Sequence, residues 1–268
     1  MRFVPKKVDD SVNVSKEHPL VEASTLVVGL ALIFIVIAAA LILMVDLVLM
    51  FVSPEREAQL FSDWMPDGLV AVNEEDERVV ELQALVARLA RHWEDAPYEF
   101  RVEIMDDEDL NALALPGGRI VVTSGLLDEV ESENELAFVL GHEMGHFKNR
   151  DHIRALGRGV VLSIFFIAIS GNEGGANLGM TIGDLTLRSF SRGQESDADE
   201  FGLEIVYKEY GHVAEAWRFF ERIDERGSRL LGFGTYLSTH PSADDRVETL
   251  IEIAEDKGWP VTGPVVYP

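Results

Sequence analysis

The chain contains no cysteine in 268 residues. Disulfides, thiolate zinc sites and iron–sulfur clusters are therefore excluded, and any metal must rest on His, Asp and Glu. Positive charge is also scarce, with 23 Lys and Arg against 47 Asp and Glu and a formal net charge of -24. The deficit is uneven. Before residue 25, Arg2, Lys6, Lys7 and Lys16 offset Asp9, Asp10, Glu17 and Glu22, and Asp46 is the only charge in the apolar segment that follows. The remainder is strongly acidic, which repels phosphate backbones and anionic headgroups, so nucleic acid is not an expected partner.

Charge is missing altogether from residues 25 to 45, TLVVGLALIFIVIAAALILMV. These twenty-one positions suffice to cross a hydrocarbon core of about 30 Å as a helix. A cleaved signal peptide would have a shorter apolar run and a small-residue cleavage site, so an uncleaved anchor is expected. Four basic residues precede the run, whereas only Arg56 lies in the twenty residues after it. That asymmetry predicts a cytoplasmic tail at 1–24, an anchor at 25–52 and a domain on the far side of the membrane, periplasmic or extracellular in a bacterium. Pro54 and Pro66 mark 53–74 as a linker, leaving 75–268 as the domain. A second apolar run, VVLSIFFIAIS at 160–170, is about half a span long. It reads as a buried helix, with shallow membrane contact as the alternative.

Within the domain, Val79, Leu82, Val86, Leu89 and Trp93 repeat at helical spacing, predicting an amphipathic helix over 75–93. Phe100, Val102 and Ile104 alternate with Arg101 and Glu103, the period of a half-buried strand. The Pro116-Gly117-Gly118 turn predicts a hairpin between NALAL and RIVVTS. Helical patterns dominate the rest, so an α+β class is expected, mostly helical with a small sheet.

The chemistry concentrates in GHEMGHFKNRDH, residues 141 to 152. Ser132 followed by Glu135 forms a capping box, and the helix it starts is apolar around most of its surface. His142 and His146, four apart, share one face and can hold one metal ion, while Glu143 lies beside that face where it can take a proton from water. Two residues compete as third ligand. His152 lies six residues beyond His146, the metzincin spacing, with Asn149 where that pattern has its turning glycine and Met180 available for a methionine turn. The competitor is RGQESDADEFGLEIV, 192–206, in which Glu195 and Asp199 share the apolar side with Ala198, Gly202 and Val206. Glu195 as ligand would leave one coordination position open, with Asp199 orienting a ligand histidine.

Four blocks, NALALPGGRIVVTSGLL, SENELAFVLGHEMGHFKNRDH, ESDADEFGL and STHPSADDR, resemble in order the HtpX-like zinc metallopeptidases, whose relatives include the CAAX prenyl proteases. The resemblance covers most of 111–246. It implies a gluzincin-type zincin domain holding one zinc ion, with His142, His146 and Glu195 as ligands, Glu143 as base and Asp199 in support. It departs in topology, since this chain shows one convincing span where multi-spanning members show several. The expected activity is a membrane-anchored zinc metalloendopeptidase acting on misfolded or envelope polypeptides in quality control. The strand at Asn111, Ala112, Leu113 and Ala114 would pair with an extended substrate, or serve simply as a sheet edge. His240 in STHPS would donate to the developing oxyanion, with an exposed turn residue as the alternative reading and Arg246 as a further donor. The glycine-rich 171–183 segment would cover the cleft or merely connect helices. A reading of another class is a membrane-tethered chaperone or assembly factor with a structural zinc.

Overall fold

A computed structural model describes residues 18–64, 77–170, 190–226, 240 and 246–267. Helix α1, Pro19–Leu49, opens with His18 accepting a hydrogen bond from the Leu20 amide and with Pro19 at its first position, where no amide hydrogen is needed. None of its residues is buried, and among the described residues it is the helix long and apolar enough to cross a membrane. The stretch expected as a linker holds a second helix, α2, Pro54–Trp64, whose Glu57 is buried.

Helix α3, Arg78–Ala90, buries Leu82, Val86 and Leu89 of the predicted stripe together with Leu85, while Val79 is half-buried and Trp93 lies past the helix end. Strand β1, Arg101–Met105, buries Val102 and Ile104 and leaves the alternate residues outward. Strands β2, Ala112–Leu115, and β3, Arg119–Thr123, form the expected hairpin. Its loop places Gly117 and Gly118 at φ of 88° and 82°, which glycine adopts without strain. The sheet order is β1-β3-β2, with β1 parallel to β3 and β2 antiparallel to it. All five residues of the central β3 are buried, and among the described residues β2 is an edge strand of the sheet.

Thr123 caps α4, Ser124–Glu129, and Ser132 caps α5, Glu133–Lys148, by accepting from the Glu135 amide. The reciprocal half of the capping box does not form. Glu135 instead accepts from the Glu131 amide and pairs with the buried Arg222. Arg150, at φ 59°, reverses the chain into α6, Asp151–Ser170. Helix α7, Arg192–Tyr210, begins with a complete Ser191/Gln194 capping box and stops at Gly211, left-handed at φ 76°. Helices α8, Arg218–Arg226, and α9, Arg246–Lys257, complete the described elements.

The crossing of α5 and α7 positions everything else. A Cβ on Gly141 would sit 3.1 Å from the Gly202 Cα, and one on Gly202 would sit 3.0 Å from the His142 nitrogen. The two backbones meet without side chains between them, so short carboxylates on α7 reach imidazoles on α5. Phe138, Leu140, Leu203 and Ile205 seal the crossing from water. The architecture is α+β, mostly helical with one small sheet.

Candidate metal centre

His142 and His146 are fully buried on α5, and their Nε2 atoms lie 3.1 Å apart. From α7, Glu195 brings Oε2 to 3.5 Å from the His142 Nε2 and Oε1 to 3.5 Å from the His146 Nε2. His240 adds Nδ1 at 3.2 Å from both the His142 Nε2 and the Glu195 Oε1. One donor atom from each of the four residues falls within 4.8 Å of the others. Ligand atoms about 2.1 Å from a tetrahedral zinc ion are separated by about 3.4 Å, which matches this spacing.

The outer hydrogen bonds decide which nitrogen faces the centre. His142 Nδ1 donates to Asp199 Oδ1 at 2.8 Å, and His146 Nδ1 donates to Asp151 Oδ2 at 3.1 Å, roles assigned from carboxylate partners that can only accept. Each Nε2 then turns a lone pair toward the other, an arrangement that is unfavourable unless a cation stands between them. Among the described residues Glu195 Oε2 likewise accepts no hydrogen bond. Burial holds the His142 pKa well below its ordinary value, against the opposing pull of Glu195. Burial also opposes ionisation of Glu195, but His240, His142 and Arg246 outweigh it and bring its pKa to about 2. A neutral His142 imidazole and an ionised Glu195 carboxylate are donors suited to zinc.

Arg246 clamps Asp199 with two hydrogen bonds, Nε to Oδ2 at 2.9 Å and Nη2 to Oδ1 at 2.7 Å, and lies 3.9 Å over the Phe220 ring. Burial raises the Asp199 pKa, and the guanidinium counters it directly. Asp151 is fixed in turn by Gln194 Nε2 at 2.5 Å, and the Phe190 ring stacks on His146 at 3.9 Å. Glu143 is fully buried, and among the described residues neither of its oxygens has a hydrogen-bond partner. Its Oε1 lies 3.4 Å from His240 Nε2.

The two competitors for third ligand separate cleanly. Glu195 sits with the histidines, whereas His152 points away, its Nε2 2.7 Å from Glu57 Oε1. Asn149 keeps a right-handed conformation at φ -85°, and the reversal falls on Arg150 instead. His240 is fully buried, so it is not an exposed turn residue, and its Nε2 also lies 3.4 Å from the Ala112 carbonyl oxygen. That contact puts β2, with Asn111 to Ala114, along the rim of the site. Arg246 takes its place as the Asp199 clamp, with Nη1 3.5 Å from Glu195 Oε2. Sequence reasoning missed Asp151; the one signal was an acid opening the next helix just after the motif. Met180 and the 171–183 segment lie outside the described residues.

Comparison with known proteins agrees with this geometry. The sequence profile described as "Peptidase family M48" matches residues 76–254. The chain is 33% identical over 212 residues to "Metalloendopeptidase OMA1, mitochondrial" of Danio rerio, covering 72% of this chain and 44% of that protein. It is 26% identical over 178 residues to "Beta-barrel assembly-enhancing protease" of Yersinia pestis, and 25% identical over 178 residues to the protein of that name in Escherichia coli (strain K12). Each of those two alignments covers 62% of this chain and 37% of the relative. The chain thus spans less than half the length of these relatives. With the matched residues enclosing the buried His142, His146 and Glu195 cluster, the chain belongs to peptidase family M48, a family of zinc metallopeptidases.

Proposed function

We propose that the chain is a membrane-anchored zinc metalloendopeptidase that cleaves misfolded or envelope polypeptides. The observation that carries this reading is Glu143, a carboxylate buried beside the ligand cluster with no hydrogen-bond partner among the described residues. A buried carboxylate without hydrogen bonds is costly, and a purely structural ion has no use for one. Its use is to accept a proton from the attacking water and pass it to the leaving amine. His142, His146 and Glu195 would hold the ion, and zinc, when bound, supplies Lewis-acid polarisation of the scissile carbonyl and acidifies water. Asp199 and Asp151 fix the histidine rings, and Arg246 fixes Asp199. The edge of β2 gives an extended substrate backbone hydrogen bonds next to the site. His240 Nε2, between Glu143 and the Ala112 carbonyl, is placed to donate to an oxyanion developing there.

The basic residues before α1 and the acidic domain after it support a cytoplasmic N-terminus and a domain on the opposite side. A quality-control role rests on the similarity to relatives named as an assembly-enhancing protease and a mitochondrial metalloendopeptidase. Glu143→Gln separates this reading from a tethered assembly factor with a structural zinc. Full zinc content with lost hydrolysis of an unfolded polypeptide supports the peptidase, whereas full cellular function with no hydrolysis supports the assembly factor.

A further inference from the structure

Helix α6 runs away from the metal centre alongside α1, and three contacts fix the register. At the elbow, Arg150 Nη1 donates to the carbonyls of Leu49 at 2.7 Å and Val52 at 2.8 Å. One turn on, Arg154 Nε meets Asp46 Oδ1 at 3.0 Å. Further along, a Cβ on Gly157 would lie 2.6 Å from Val45 Cγ1, so the helices touch where a glycine fits. Residue numbers rise along α6 as they fall along α1, so the pair is antiparallel. On α1, the half-buried positions continue along one side as Leu49, Val45, Ile42, Leu41, Ala38 and Phe34, at helical spacing. Between them Ile35, Val36 and Leu43 are 59%, 66% and 68% exposed. The covered side therefore reaches well into the stretch that would cross the membrane.

We infer that α6 is a re-entrant membrane helix, with residues 159–170 lying beside α1 in the hydrocarbon core, entered from the leaflet that faces the domain. The inference rests on α1 spanning the bilayer, because whatever packs at the depth of Phe34 to Val45 then shares that depth. The sequence of α6 agrees. Arg150, Arg154 and Arg158 fall four apart at its start, and no charge follows through Ser170. Arginines one turn apart mark the headgroup level, where long side chains reach water and phosphate while their stems stay apolar. The twelve uncharged residues rise about 18 Å, more than half of a core of about 30 Å and too little to cross it. A helix meets its own backbone hydrogen-bonding needs, so this depth carries no penalty for unpaired amides. Val160, already past the arginines, is 51% exposed, as an apolar residue facing acyl chains would be. The chain also comes back to the side it left, because Asp151 before the segment and Phe190 after it both contact His146. From Asp151 to Gly157 the helix rises about 9 Å, so the metal centre lies close above the leaflet. Under the proposed peptidase activity, its substrates are polypeptide segments held at or emerging from that leaflet.

Lack of cysteine makes the test clean, since any introduced thiol is the sole one. Full-length variants Val160→Cys, Ile164→Cys, Ala168→Cys, Ile37→Cys and Asp197→Cys would each carry an environment-sensitive fluorophore in phosphatidylcholine/phosphatidylglycerol vesicles. Quenching is then compared between lipids bearing nitroxide near the headgroup and deep in the chain. The register places Ile164 level with Ile37, so the two should be quenched alike and severalfold more than exposed Asp197, with Val160 favouring the shallow quencher. Quenching at Ile164 and Ala168 no greater than at Asp197, while Ile37 is strongly quenched, overturns the re-entrant helix and leaves the anchor intact. Loss of quenching at Ile37 as well overturns the membrane reading of α1 together with it. Neither result bears on hydrolysis, which Glu143→Gln tests separately, and the three α6 positions are read independently, so one misfolded variant does not remove the test.

Discussion

Gly145 on α5 faces Ala198 on α7 so closely that a Cβ added to Gly145 would lie 2.7 Å from the Ala198 Cα. Within one turn of that contact stand the groups that gather at the metal centre: His142 and His146 with Glu195 and Asp199. The distance between ligands is thus set by backbone against backbone. Gly145→Ala should therefore push α7 outward, costing about 1–3 kcal/mol as overpacking does. Thermal unfolding and zinc affinity should fall together in this variant; unchanged affinity would show that side-chain reach, and not helix contact, sets the site.

Glu195→Ala should abolish stoichiometric zinc binding, and His152→Ala should leave zinc content at the wild-type level. The reason is placement: Glu195 approaches both ligand nitrogens, whereas His152 is engaged with Glu57. Metal analysis of the purified full-length variants decides the matter. Equal zinc in wild type and Glu195→Ala would remove Glu195 from the ligand set.

Glu143→Gln should keep its zinc and lose hydrolysis by about 10²–10⁴-fold, the usual worth of a positioned general base. Measured kcat on an unfolded polypeptide, beside zinc content, checks it.

His240→Ala should lower kcat by about 10²–10³-fold with little change in KM if the ring supplies an oxyanion donor. Its Nδ1 also lies among the ligand atoms. A rise in kcat would identify the ring as a fourth ligand that occupies the position needed by water.

Acid sensitivity should trace in part to Glu57. Burial opposes its ionisation, but His152 and Arg150 hold its pKa below the ordinary carboxylate value of 4.5. A pKa depressed on folding contributes stability above the unfolded value, and that stability is lost as pH falls through the folded one. Glu57→Ala should thus cost about 3–5 kcal/mol near neutral pH, by leaving its buried partners uncompensated. The deficit should shrink as pH falls from about 4.5 through the lower folded pKa, over which the wild type loses the same contribution. Chemical denaturation across pH measures both limbs.

Much of this fold was legible because its periods are strong. The α3 stripe, the alternation in β1 and the glycine turn before β3 each follow from local sequence. The pairing of α5 with α7 was legible in outline, since Gly202 and Ala198 sit beside Glu195 and Asp199 and small residues permit close approach. The rest depended on contacts with no local mark. Asp151 reaches His146 only because Arg150 takes a left-handed conformation, and arginine does not announce such a turn as asparagine or glycine would. The sequence left His240 between an oxyanion donor and an exposed turn residue, and its burial comes from elements far away in the chain that no local pattern marks. Glu57 looked like one acid among several in a linker, and only its distant partners reveal why it is buried.

Arg150 joins parts that are usually left loosely tethered. Its guanidinium ties together the last carbonyls of α1 and the Glu57 carboxylate, while the next residue orients His146. A domain fastened in this way cannot swivel on its anchor as a bead does on a string. With α1 in a bilayer as proposed, the cleft would keep one bearing relative to the lipid, and the height at which a chain is cut would be set by the protein, as a ruler fixes length, and not by how far a slack stalk can stretch.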